Sequence, residues 1–135
     1  MLRVVLDTNI IISAILFGGK PEEVIKLALA GKINLLISYD IIAETVFILR
    51  NKFKWSNYQV REVDLMLRDN AILVVPLKRL SVVDEDDADN RILECALEGK
   101  ANYIISGDKK HLLRLESFKG IPIISADLFL KRFMQ

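Results

Sequence analysis

Residues 3–9 read Arg3-Val4-Val5-Leu6-Asp7-Thr8-Asn9, a short apolar, β-branched run that stops at an acid. Continuous apolar residues without polar alternation suit a strand buried on both faces, as in a parallel sheet. Residues 33–37, 71–75, 102–105 and 121–124 repeat the pattern. The stretches between them carry helical spacing. Val24, Leu27 and Ala28 form a stripe in 22–30, and Ile41, Thr45, Ile48 and Leu49 do so in 41–52, widened by Val46 and Phe47. Residues 61–70 fit as well, as do residues 90–99 through Ile92, Leu93, Ala96 and Leu97. Pro21 stands before Glu22 and Glu23 at a helix start, and Ser56-Asn57-Tyr58-Gln59 matches a capping box. Gly31 and Gly99 mark helix ends, and Ser125-Ala126-Asp127 opens a last short helix through Phe133. Strands alternating with helices predict an α/β domain with a mostly parallel sheet.

The composition agrees. The chain has 135 residues, 52% hydrophobic and 27% charged, which predicts one domain over 1–135 and excludes intrinsic disorder. The longest apolar stretches, 10–17 and 71–77, fall short of the roughly 18 residues of a membrane span. An acid at Asp7 interrupts any signal-peptide layout, and the lone Cys95 has no partner for an internal disulfide. Both point to a cytoplasmic protein without a membrane partner. A net charge of +1 advertises no broad basic field, so the acids carry the information.

Ligands of an open parallel sheet bind at the carboxyl ends of its strands. Asp7 directly follows the first strand, and Asp108 follows the fourth after Ser106 and Gly107. Helices that follow strands start at the same edge. That places Glu44 about one turn into the helix after the second strand, and Asp89 in the first turn of the helix leading to the fourth. Taken singly, each acid has a plain structural use: Asp7 as a strand stop, Glu44 as a solvated helix residue, Asp89 as a dipole partner, Asp108 as an N-cap. Together they would repel one another and raise each other's pKa, a penalty that a divalent cation removes. Several carboxylates with open positions suit Mg²⁺ or Mn²⁺, which can activate water and neutralise a phosphoryl oxygen.

These residues resemble the motifs of PIN-domain nucleases. Asp7-Thr8-Asn9 is similar to the opening motif, and Asp86-x-x-Asp89-x-x-Ile92-Leu93-x-x-Ala96 to the central one. Tyr103-Ile104-Ile105-Ser106-Gly107-Asp108 resembles the third, and residues 124–130 the last strand and helix. The ordered set spans the chain and is most similar to the VapC-like group of prokaryotic toxins. The resemblance implies a three-layer α/β/α fold with about five parallel strands in the order 3-2-1-4-5. It implies that Asp7, Glu44, Asp89 and Asp108 form a Mg²⁺ or Mn²⁺ site that hydrolyses RNA. It also implies an antitoxin partner and a homodimer, for which the face of Ile41, Ile42, Val46 and Phe47 or residues 65–67 offer apolar surface. One departure stands out: many members carry a further acid where this chain has Lys110, so no fifth ligand is expected.

Supporting residues follow. Asn9 is a candidate to orient Asp7 as an amide behind the ligands, against a use as N-cap of a helix from Ile10. Thr8 and Ser106 are candidates to bond Asp7, Asp108 or a phosphate, against ordinary strand-end capping. Lys109 and Lys110, with Arg114 beyond, are candidates for phosphate contact next to the acids. Arg50, Lys52 and Lys54 beside Trp55 and Tyr58 read as surface. Asp86 reads as a helix cap, Cys95 as a small core residue, and His111 as a solvated residue. Two other readings compete. Dehalogenase-like phosphotransfer needs an Asp where Asn9 stands, and receiver-type phosphotransfer needs an Asp after the third strand where Pro76-Leu77 stands. The other is a catalytically silent PIN scaffold for binding, against which the four acids argue.

Overall fold

The computed structural model describes residues 1–83, 87–110 and 112–134. Arg3–Leu6 forms strand β1 and runs into helices α1 (Thr8–Phe17) and α2 (Gly19–Leu29). Strand β2 (Asn34–Ile37) leads to α3 (Tyr39–Asn51) and α4 (Asn57–Asn70). After β3 (Ile72–Leu73) come α5 (Asp87–Glu98) and β4 (Tyr103–Ile105). The chain closes with α6 (Leu112–Leu115), β5 (Ser117–Phe118), β6 (Ile121–Ile124) and α7 (Ala126–Phe133).

Among the described residues the sheet order is β3-β2-β1-β4-β6-β5. All neighbours pair in parallel except β5 with β6. The five parallel strands lie as expected, with residues 121–124 in the fifth place. The departure is the added antiparallel β5. It arises because Lys119 and Gly120 both take positive φ, 48° and 81°. That conformation closes a two-residue hairpin and pairs Phe118 with Ile121.

Burial follows position in the sheet. Val4, Val5, Leu6, Ile104 and Ile105 are at most 1% exposed, as central strands covered on both faces require. The run at 71–75 departs from expectation. Only Ile72 and Leu73 pair, and they are 41% and 40% exposed because β3 is an edge strand bonded to β2 alone.

The helix ends obey local chemistry. Ser56 and Gln59 complete the reciprocal capping box of α4, and Ser125 Oγ accepts from the Leu128 N–H to cap α7. Gly31, at φ 73°, ends α2: its N–H bonds the Ala28 carbonyl and the Lys32 N–H bonds Leu27. This is the left-handed cap that glycine adopts without strain. Gly99 follows the last residue of α5, as expected of a helix stop, but the reason for a glycine there is packing. The left-handed residue after α5 is Lys100, at φ 53°. Gly99 is small because a Cβ there would lie 2.7 Å from Leu36 Cδ1 and 3.1 Å from Val74 Cγ2. It seats the end of α5 against β2.

Candidate active site

The carboxyl edge of the sheet gathers the polar residues. The β1 ladder ends as the Asp7 N–H donates to the Ile105 carbonyl at 2.9 Å, and Ser106 bonds Ile124 in the same way. The parallel register that pairs Leu6 with Ile105 thereby brings Asp7 beside Ser106. Ser106 Oγ donates to Asp7 Oδ2 at 2.9 Å and accepts the Asp108 N–H at 3.1 Å. One buried hydroxyl thus ties the acid after β1 to the segment after β4. Asp108 in turn accepts the Lys110 N–H on Oδ1 at 2.9 Å.

Asp7 is also the N-cap of α1. Its Oδ1 accepts the Asn9 N–H at 3.4 Å, and its carbonyl accepts from Ile10 and Ile11. The cap therefore lies two residues before the position considered at Asn9. Asn9 sits in the first turn as an exposed residue, whereas Thr8 is 4% exposed.

The helix side supplies the other acids. Helix α3 packs against α1 and α5, and α5 packs on β1 and β2. A cavity of about 360 Å³ opens between these helices, lined by Thr8, Glu44, Phe47, Asp87, Ala88 and Arg91 among others. Glu44 is half-buried on its wall. Asp89, two residues beyond Asp87 in the first turn of α5, is 4% exposed. Burying a carboxylate is costly without compensating donors or a cation.

Oxygen donors alone, two of them on nearly fully buried carboxylates, suit a hard divalent cation in chemical type. Among the described residues, no three carboxylate, histidine or cysteine side chains are drawn into one coordination group. The structure therefore ties Asp7 to the backbone of Asp108 through Ser106, and places Glu44 on the wall of the cavity that Thr8 and Asp87 also line. It leaves the four predicted ligands short of a closed cluster.

Other predicted residues sort as follows. Lys109, Lys110 and Arg114 are exposed at or just beyond the Asp108 turn. Arg50, Lys52 and Lys54 are exposed as well, with Trp55 half-buried. Cys95 is fully buried, and burial pushes its thiol up to about 12. Ile41 and Ile42 are core residues at 1% and 3% exposure, so the apolar face offered for dimerisation shrinks to Val46 and an exposed Phe47. Of residues 65–67, Leu65 is exposed while Leu67 is fully buried. Asp86 and His111 lie outside the described residues. Sequence reasoning missed the polar face of α5, Asn90, Arg91 and Glu94. The available signal was Asn90, Glu94 and Glu98 recurring every four positions.

A mostly parallel sheet flanked by helices, with acids along its carboxyl edge, defines the class as an α/β domain. The family is more particular: the profile of the PIN domain matches residues 3–110, and the chain belongs to the PIN-domain family. Two solved structures share the fold. The structure of VapBC-1 from nontypeable Haemophilus influenzae aligns with TM-score 0.64 and 18% identity, over 93% of this chain and 99% of that one. VapBC2 from Rickettsia felis, bound to a DNA fragment from their promoter, aligns with TM-score 0.63 and 15% identity, over 90% of this chain and 97% of that one. No curated protein sequence matches the chain significantly. Among the described residues, no helix is long and apolar enough to cross a membrane.

Proposed function

We propose that this chain, as a single PIN domain over 1–135, is a divalent-metal-dependent endoribonuclease and the toxin of a toxin–antitoxin pair. The observation that carries the reading is Ser106, which ties Asp7 to the Asp108 segment at the edge where Thr8 and Glu44 wall a cavity. Asp7, Glu44, Asp89 and Asp108 are the residues that would hold Mg²⁺ or Mn²⁺. Such an ion, when bound, supplies water activation and charge neutralisation at a phosphoryl group. Ser106 keeps one Asp7 oxygen oriented, and the N-cap bond to Asn9 engages the other. Lys109 and Lys110 offer positive charge to the RNA backbone beside the acids. With one histidine in the chain, a His-pair mechanism through the RNA 2′-hydroxyl has no second partner. Resemblance to PIN-domain nucleases implies a 5′-phosphate and a 3′-hydroxyl as the product ends.

The toxin assignment rests on family membership and on the VapBC structures that share this fold. It brings a cognate antitoxin, a cytoplasmic setting and a homodimer as companions of the proposal. The test is cleavage of RNA by purified protein with Mn²⁺ or Mg²⁺. Activity should stop on chelation, return with metal, and leave no cyclic phosphate ends. Equal cleavage in EDTA, or cyclic phosphate products, would reject it.

A further inference from the structure

Residues 74–83 link β3 to the acidic start of α5 with no helix or strand of their own. Four of their backbone N–H groups find partners on one face of α5. The Leu77 N–H donates to Glu98 Oε1 at 3.0 Å and the Leu80 N–H to Glu94 Oε2 at 2.7 Å. The Val82 and Val83 N–H groups share Asn90 Oδ1 at 2.9 and 2.8 Å, and Asn90 Nδ2 returns a bond to the Val83 carbonyl. Residues 90, 94 and 98 lie one above the other on a helix, so three side chains hold the strap as a neighbouring strand would.

Glu94 does more than accept an amide. Its side chain is 1% exposed and pairs with Arg91 at 2.9 Å and Arg79 at 3.4 Å. Arg79 also reaches Asp40 Oδ2 at 3.1 Å, in the first turn of α3, one turn before Glu44. Arg91 lines the same cavity as Glu44 and donates to the Leu80 carbonyl at 3.0 Å. A buried carboxylate is tolerated only with such full pairing, and losing one partner is costly. Glu94 is therefore the point where α3, the strap and α5 are joined, and its partner Arg91 lines the cavity that Glu44 and Asp87 share.

We infer that Asn90 and Glu94 are positioning residues. By fixing the strap along α5 and tying it to α3, they set the spacing between the helix turns that carry Glu44 and Asp89. The inference rests on the metal reading above.

The experiment is Mn²⁺ titration calorimetry on the full chain, paired with amide hydrogen exchange, well below the melting temperature. Wild type should bind Mn²⁺. Failure there overturns the metal reading, and this inference with it, before any variant is made. Asn90→Ala should speed exchange at Val82 and Val83 and weaken Mn²⁺ about ten-fold, the low end of what lost support behind a metal ligand costs. Asn90→Asp keeps an oxygen for both amides but loses the donor to the Val83 carbonyl, so it should weaken Mn²⁺ less than Asn90→Ala does. Glu94→Gln keeps an oxygen for Leu80 but loses the charge, and should again weaken Mn²⁺ about ten-fold. If Asn90→Ala does not fold, Glu94→Gln against Asn90→Asp carries the same contrast. Faster exchange with wild-type Mn²⁺ affinity would overturn the inference, since the strap would be held without serving the site. Unchanged exchange at 80, 82 and 83 would overturn it from the other side.

Discussion

The two halves of the site are held in different ways. On the strand side, Asp7 stands where β1 ends, and the β1–β4 register delivers Ser106 to it. On the helix side, Glu44 and Asp89 come from elements joined by side chains: Arg79 to Asp40 and Glu94, and Asn90 to the strap. Backbone pairing fixes the first half as part of the sheet core. Side-chain bonds fix the second, where each bond can be cut alone. The difference teaches that a substitution on the strand side acts on stability and chemistry together, whereas one on the helix side acts on geometry.

The largest expected effect tests the strand side directly. Asp7→Asn should lower metal-dependent RNA cleavage by about 10³-fold or more, since metal charge stabilisation is worth several kcal/mol. The asparagine can still cap α1, so the protein should stay folded, with a small fall in melting temperature from the charge lost at the Ser106 hydrogen bond. A folded Asp7→Asn protein with undiminished cleavage would remove Asp7 from the chemistry.

Next, Ser106→Ala strips a buried hydrogen bond from the Asp7 carboxylate and leaves the Asp108 N–H to find another acceptor. The expected loss is about 2 kcal/mol in denaturant unfolding, as for a buried bond to a charged group. A neutral result would show that the two strand ends do not depend on this hydroxyl. Gly99→Ala probes the helix side through its seat on β2. We expect about 1 to 2 kcal/mol of destabilisation from overpacking, because the nearest obstacle is the end of the Leu36 side chain. A larger loss would show that α5 cannot shift at all.

Lys109→Ala with Lys110→Ala should leave the fold unchanged and flatten the salt dependence of RNA binding. The logarithmic slope should fall by about 1.4, from two lost phosphate contacts on a single strand. A slope equal to that of wild type would place these lysines away from the RNA. The smallest effect is at Cys95. Burial raises its thiol to about 12, so folded protein should resist alkylation at pH 8. The same shift has a pH signature. The thiol stays protonated when folded but ionises near 9 when unfolded, so its contribution to stability is complete below about pH 9 and lost as pH climbs towards 12. Rapid labelling at pH 8 would mean that α5 opens readily from the sheet.

The parts legible in the sequence were those governed by local chemistry. Strand β1 and its terminating Asp7, the Ser56–Gln59 box and the Ser125 cap each follow from residues within a few positions of one another. The hairpin at Lys119-Gly120 was also local, but it lay inside a loop that the apolar pattern passed over. Residues 71–75 misled because an apolar run does not say whether a strand is central or at an edge. Gly99 was legible as the end of α5, but the reason for a glycine there, the Leu36 side chain 63 positions away, was not.

The sequence by itself determined the alternation of strands and helices, the family, and the placement of acids after strands. Each depends on composition and short-range spacing, which chain order preserves. Only the tertiary structure decided that Ser106 bridges Asp7 and the Asp108 segment, that Glu44 shares a cavity with Thr8 and Asp87, and that Asn90 and Glu94 bind a distant strap. The Ser106–Asp7 bond spans 99 positions of chain, and the bonds of Asn90 and Glu94 to the strap span 7 to 15. They form because parallel register and helix packing bring remote side chains within hydrogen-bonding distance, and no local preference of either partner encodes that distance.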